Sequence, residues 1–135
     1  MAYVDWTPDL SVGVETIDKQ HQRWIELLND FAAAVTSGHA RDRLFDTLTE
    51  VVEYARTHFA YEEDVLETSG YPGFSAHRAI HQKFAAEAEA MLADLKAGKW
   101  LSTTTVLSKQ KDWLINHIRK VDQQYAPHLR ARKAA

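Results

Sequence analysis

Seven side chains in this sequence have the types and the spacing to hold metal. His77 and His81 are four residues apart. On a helix they would lie one turn apart on one face, placed to chelate a single ion. His58 and Glu62 repeat that spacing. His117 and Asp122 stand five apart, a separation at which a regular helix turns the second residue away from the first. A locally widened turn would realign them, and such turns recur at functional sites. His21 completes the set.

A lone histidine on an apolar helix face is most often a packed core residue. Five of them accompanied by two carboxylates need another explanation. Titratable groups are costly to bury unless each finds a partner, and a metal partners them all. Seven ligands are too many for one ion. Five imidazoles and the four oxygens of two bridging carboxylates supply nine donors. A solvent-derived oxo or hydroxo bridge, bonded to both ions, brings them to eleven. Two ions of roughly six-fold preference would then keep one position open. Imidazole with carboxylate suits iron, and an open position suits oxygen chemistry; zinc and manganese accept the same ligand types. The two remaining histidines, His39 and His128, sit beside Gly38 and Pro127 and read as exposed loop residues. Glu63, Asp64 and Glu67 read as solvated.

Four amphipathic helices would position these groups. Residues 1–17 read as an extended N-terminal arm, broken by Pro8 and anchored by Trp6 and Val14. The first helix runs from about Asp18 to Thr36, with Trp24, Ile25, Leu28, Phe31 and Val35 at helical spacing and a stop at Ser37-Gly38. The second runs from about Arg41 to Glu67, and its stripe of Leu44, Leu48, Val51 and Ala55 continues into His58 and Glu62. The third runs from about Phe74 to Leu95; its row of Phe74, His77, His81, Phe84, Ala88, Met91 and Leu95 alternates steps of three and four. Gly98 closes it, and Ser102 or a neighbouring threonine can cap the fourth helix. That helix runs from about Thr103 to Tyr125, with Pro127 as its stop and 126–135 as a C-terminal tail. Short connections imply an all-α, up-down-up-down antiparallel four-helix bundle forming a single domain over 1–135. In that topology His21 and His77, early in their helices, meet His58 and His117, late in theirs. All seven ligands can converge at one end.

The bulk properties exclude several classes. The chain has 135 residues, a net charge of −3, and no cysteine, so disulfides, thiolate sites and cysteine nucleophiles are ruled out. With a sequence pI of about 6.1 and basic residues clustered only at Arg130, Arg132 and Lys133, nucleic acid is not an expected partner. No run approaches the ~18 apolar residues of a membrane span, and the N-terminus lacks the apolar core of a secretion signal. A cytoplasmic monomer is the expectation.

The segments Ile17-Asp18-Lys19-Gln20-His21-Gln22, His58-Phe59-Ala60-Tyr61-Glu62-Glu63, His77-Arg78-Ala79-Ile80-His81 and Trp113-Leu114-Ile115-Asn116-His117-Ile118 with Asp122 resemble the hemerythrin family, specifically its single-domain bacterial members. The N-terminal Trp6 and Val12-Gly13-Val14 resemble that family's arm, and the similarity covers nearly the whole chain. The resemblance implies a non-haem di-iron site that binds O₂ reversibly. It implies that His77, His81 and His117 hold one iron, that His21 and His58 hold the other, and that Glu62 and Asp122 bridge them. It maps the family's apolar oxygen pocket onto Phe59, Trp113, Leu114 and Ile118. Trp24 departs from the common pattern, which often has an aliphatic residue three positions after the first histidine.

Oxygen storage, transport or delivery is the leading expectation, with O₂ as ligand and an oxygen-using enzyme or reductase as candidate partner. An oxygen or redox sensing module is the alternative, as is a di-iron oxidase or peroxidase. The ferritin-like enzymes build their sites from carboxylate-rich Glu-x-x-His elements. The candidate site here contains no such pair, so enzyme activity is not expected.

Overall fold

The computed structural model describes residues 3–37, 41–99 and 102–134. Gly38 and His39, read above as a helix stop and a loop histidine, lie outside the described residues. Four long helices make the bundle: α1 (Glu15–Thr36), α2 (Arg41–Thr68), α3 (Phe74–Lys96) and α4 (Thr103–Asn116), the last continuing through a π-helical turn (His117–Asp122) into α5 (Gln123–Ala134). α1 packs on α2 and α4, and α2 packs on α3. No helix among the described residues is long and apolar enough to cross a membrane.

Helix ends follow local chemistry. Ser102 caps α4, its Oγ accepting from the Thr105 N–H. Gly98, at φ +81°, closes α3 while the Lys99 N–H donates to the Asp94 carbonyl. That is the left-handed turn glycine adopts without penalty.

The arm differs from the extended segment expected over 1–17. Among its described residues it contains a 3₁₀ turn, Pro8–Leu10, and α1 begins at Glu15. Asp18 explains the early start: its carboxylate accepts from the Val12 N–H at 2.9 Å and the Ser11 hydroxyl at 2.5 Å, tying the arm to the first turn of α1. Asn29 exchanges two hydrogen bonds with the Val4 backbone, fixing the arm further along. Val4, Leu10 and Val12 are buried, and Trp6 and Val14 pack half-buried against the core.

The C-terminus also differs. Pro127 does not stop the last helix, and 126–134 is helical rather than a tail: α5 runs to Ala134 with Pro127 inside it. Pro127 itself is exposed, while Ala126 and Leu129 are buried with Val12, Ile17, Leu66 and Tyr125. His128 is not an exposed loop residue, because it makes a 2.9 Å hydrogen bond to the Ser69 carbonyl at the end of α2. Burying a leucine contributes roughly 2 kcal/mol. Together with the hydrogen bond of His128, that offsets much of the ~3 kcal/mol a helical proline costs.

The apolar interior therefore has two parts. A large cluster around Trp24, Phe31, Val51, Phe84 and Leu114 fills the bundle. A smaller one around Val12, Ile17, Leu66, Tyr125 and Leu129 joins arm, α1, α2 and α5 at one end.

Candidate metal centre

All seven expected ligands are buried polar residues, and with Thr47 and Gln110 they interrupt a mostly apolar interior. α1 contributes His21, α2 His58 and Glu62, α3 His77 and His81, and the π-helical turn His117 and Asp122. His58 and Glu62 come together by ordinary helical spacing, their Nε2 and Oε2 atoms 3.0 Å apart.

The two carboxylates divide the cluster into poles. Glu62 Oε1 lies 2.6 Å from His77 Nε2 and 3.3 Å from His81 Nε2. Its Oε2 lies 3.0 Å from His58 Nε2 and 3.8 Å from His21 Nε2. Asp122 repeats the division: Oδ1 is 3.2 Å from His77 Nε2 and 3.1 Å from His117 Nε2, whereas Oδ2 is 3.3 Å from His21 Nε2. One pole gathers His77, His81 and His117 with one oxygen of each carboxylate. The other gathers His21 and His58 with the second oxygen of each.

The donor set fits metal ions on three counts. Within the two-histidine pole the Nε2 atoms of His21 and His58 are 3.1 Å apart, and within the other pole those of His81 and His117 are also 3.1 Å apart. Donors about 2.1 Å from a shared ion and at right angles would lie about 3 Å from each other. Next, both oxygens of fully buried Asp122 lie 3.1 to 3.3 Å from imidazole nitrogens without a well-directed hydrogen bond, the arrangement of donors placed around a shared cation. Finally, His58 and His81 use their Nδ1 atoms elsewhere. His58 Nδ1–H donates to Gln20 Oε1 at 2.6 Å and His81 Nδ1–H to Glu63 Oε2 at 2.9 Å, which leaves each Nε2 lone pair facing the cluster.

The electrostatics are those of a site built for positive charge. Burial resists charging His77, yet Asp122 and Glu62 hold its pKa up to about 9. His21 is likewise raised against the effect of burial, chiefly by Asp122. Burial wins at His58, which is pushed down and stays neutral. Burial would raise Glu62, but the imidazoles of His58, His77 and His81 hold it well below the usual carboxylate range. Asp122 is likewise held low by His117, His21 and His77, against both burial and the charge of Glu62.

Aromatic rings line the bundle side. Phe59 stacks on His81 with centroids 3.8 Å apart, and Trp113 stacks on His117 at 4.3 Å. Trp24 lies edge-on to His58 at 5.9 Å and contacts Phe59 and Trp113. Leu114 and Ile118 are completely buried. Of the expected pocket residues, Trp113 thus touches the three-histidine pole, Trp24 the two-histidine pole, and Phe59 both, lying 6.1 Å from the His58 ring as well as against His81.

Four contributors were given no role at the centre by the sequence, Phe84 being placed only in the buried row of the third helix. Glu63, taken as solvated, is the carboxylate behind His81. Gln20 backs His58. Tyr125 is fully buried and donates its hydroxyl to Glu62 Oε2 at 3.0 Å. Phe84 stacks on Trp113 at 4.0 Å. Tyr125 carried a readable signal, lying three residues after Asp122 and so on the same helix face. Glu63 carried none, since its contact depends on how α3 sits against α2.

A helical bundle with a buried, carboxylate-divided pair of cation poles defines the class. The sequence matches the family described as hemerythrin HHE cation binding domain over residues 12–129. The chain belongs to the hemerythrin family. It is 40% identical over 133 residues to a bacteriohemerythrin of Stenotrophomonas maltophilia, a match covering 97% of this chain and 84% of that one. It is 30% identical over 132 residues to the bacteriohemerythrin of Methylococcus capsulatus, covering 97% and 100%. A crystal structure of wild-type hemerythrin superposes with a TM-score of 0.90 at 29% identity, covering 95% of this chain and 98% of that one.

Proposed function

We propose that this protein holds two iron ions, one at each pole, and binds O₂ reversibly at the two-histidine pole. The observation that carries this reading is the division of Glu62 and Asp122, each of which turns one oxygen to each pole. Three imidazoles and two carboxylate oxygens face one pole; two imidazoles and two oxygens face the other. Two ions held there would find five protein donors at the first pole and four at the second, so the second would leave more of its ion's roughly six positions for O₂. Iron bound there supplies the electrons and the vacant position that O₂ requires.

The chain's own residues account for reversibility. Trp24 beside His58, with buried Phe59, Leu114 and Ile118, keeps water from the cluster. The phenol of Tyr125 is pushed well up by burial and then by the charges of Asp122 and Glu62. It stays protonated and donates to Glu62 Oε2 rather than delivering a proton to the site. Two carboxylates among five imidazoles also give less support to high iron oxidation states than the carboxylate-rich cages of di-iron oxidases. This favours an oxygen carrier over an enzyme.

Metal analysis of iron-loaded protein, followed by a structure with azide bound, tests the assignment. Two irons per chain with azide at the His21–His58 pole is the expected result. One metal per chain, or azide on the His77–His81–His117 pole, contradicts it.

A further inference from the structure

We infer that Glu63 is a positioning residue for His81, and that its charge makes the three-histidine pole favour the more highly charged metal state. The inference rests on the two-ion reading above and assigns a function to a residue outside the ligand set.

Two contacts fix the His81 ring. Phe59 lies parallel to it, with 10° between the planes and 3.8 Å between centroids, which sets the plane. Glu63 Oε2 accepts from Nδ1–H at 2.9 Å, which sets the rotation within that plane and the tautomer. Nε2 is left as the lone-pair atom, aimed at Glu62 Oε1 and His117.

The second effect is electronic. An imidazole that donates to an anion is a stronger metal donor than one that donates to a neutral group. His81 donates to a carboxylate, whereas its counterpart His58 donates to the neutral amide of Gln20. The poles thus differ in what stands behind their ligands as well as in histidine number. The Glu63 side chain is 23% exposed, at the edge of a groove of about 240 Å³ between α2 and α3. Arg56, on the same groove, is committed to Glu89 at 2.9 Å and does not form an ion pair with Glu63.

Two reciprocal variants test this. Glu63→Gln keeps the acceptor and removes the charge; Gln20→Glu puts a charge behind His58. Metal-free protein is titrated with Co²⁺ alone, and iron-loaded protein is poised at a fixed potential while the reduced-to-oxidised ratio is read. For Glu63→Gln we expect Co²⁺ binding weakened about tenfold at one of two sites. The reduced-to-oxidised ratio should rise at least about threefold. Gln20→Glu should move the ratio in the opposite direction, and it provides the test if Glu63→Gln does not fold. Weakened binding with an unchanged ratio, or no change in either, overturns the inference and leaves the two-ion reading intact. Failure of the unmodified protein to take up two Co²⁺ overturns both.

Discussion

His117 Nε2 lies 3.1 Å from Asp122 Oδ1, although the two stand five positions apart in sequence. A regular α-helix would turn Asp122 well off the face occupied by His117. The π-helical turn His117–Asp122 absorbs the extra residue and returns both side chains to one face. Asp122 can then reach both poles from a single helix.

Changing the length of this turn is therefore a direct test. Deleting exposed Lys120 leaves a spacing of four, which an ordinary helix aligns, and two metals per chain should still bind. Inserting one alanine after Lys120 makes the spacing six, and binding should fall to one metal or fewer. Metal analysis of both variants, with helicity as a folding control, reads the outcome. Equal stoichiometry in the two would show that the turn does not matter.

Glu62→Ala should abolish binding of the metal pair, because it removes one oxygen from each pole. It also leaves the imidazoles around it without their anionic partner. Stability of the metal-free protein should drop by about 3–5 kcal/mol, the scale for breaking a buried charged pair. Denaturant unfolding measures the second effect, and a loss under about 1 kcal/mol would contradict the buried-network picture.

Acidity acts on the metal-free protein in two directions. The pKa of His77 is raised to about 9. Its stabilising contribution is therefore complete below its unfolded value of about 6.5 and is lost as pH rises through about 9. Glu62 and Asp122 are depressed, so their contribution is present above the ordinary carboxylate range and lost as pH falls. Stability should peak in the mildly acidic range. Metal entry must displace the His77 proton, so uptake at pH 7 should release protons, and less so above about pH 9. Calorimetry in two buffers of different ionisation enthalpy measures the release; none at pH 7 would count against it.

Leu114→Ala should leave metal loading intact, since Leu114 carries no ligand atom, while costing about 2–5 kcal/mol as a core truncation. The oxygenated form should lose its bound O₂ irreversibly faster as water gains access. Time-resolved absorbance checks this, and an unchanged decay rate would remove Leu114 from the shielding role.

Much of the centre was legible because helical spacing is local. His77 with His81, and His58 with Glu62, follow from a step of four. Even the awkward step from His117 to Asp122 announced the irregular turn. Contacts between helices were not legible. Glu63 looked like one more solvated acid beside Asp64 until α3 brought His81 against it. Pro127 looked like a terminator because proline's local cost is visible in sequence, whereas the burial of Leu129 against Val12 and Leu66 comes from elements far apart in the chain.

The most direct test of reversible oxygen binding is the ultraviolet–visible spectrum of the iron-loaded, anaerobically reduced protein before air, after air, and again after oxygen is removed. A charge-transfer band that appears with air and disappears on deoxygenation, through repeated cycles at two irons per chain, is the expected result. A spectrum that does not change with air, or one that changes once and never returns, would contradict it.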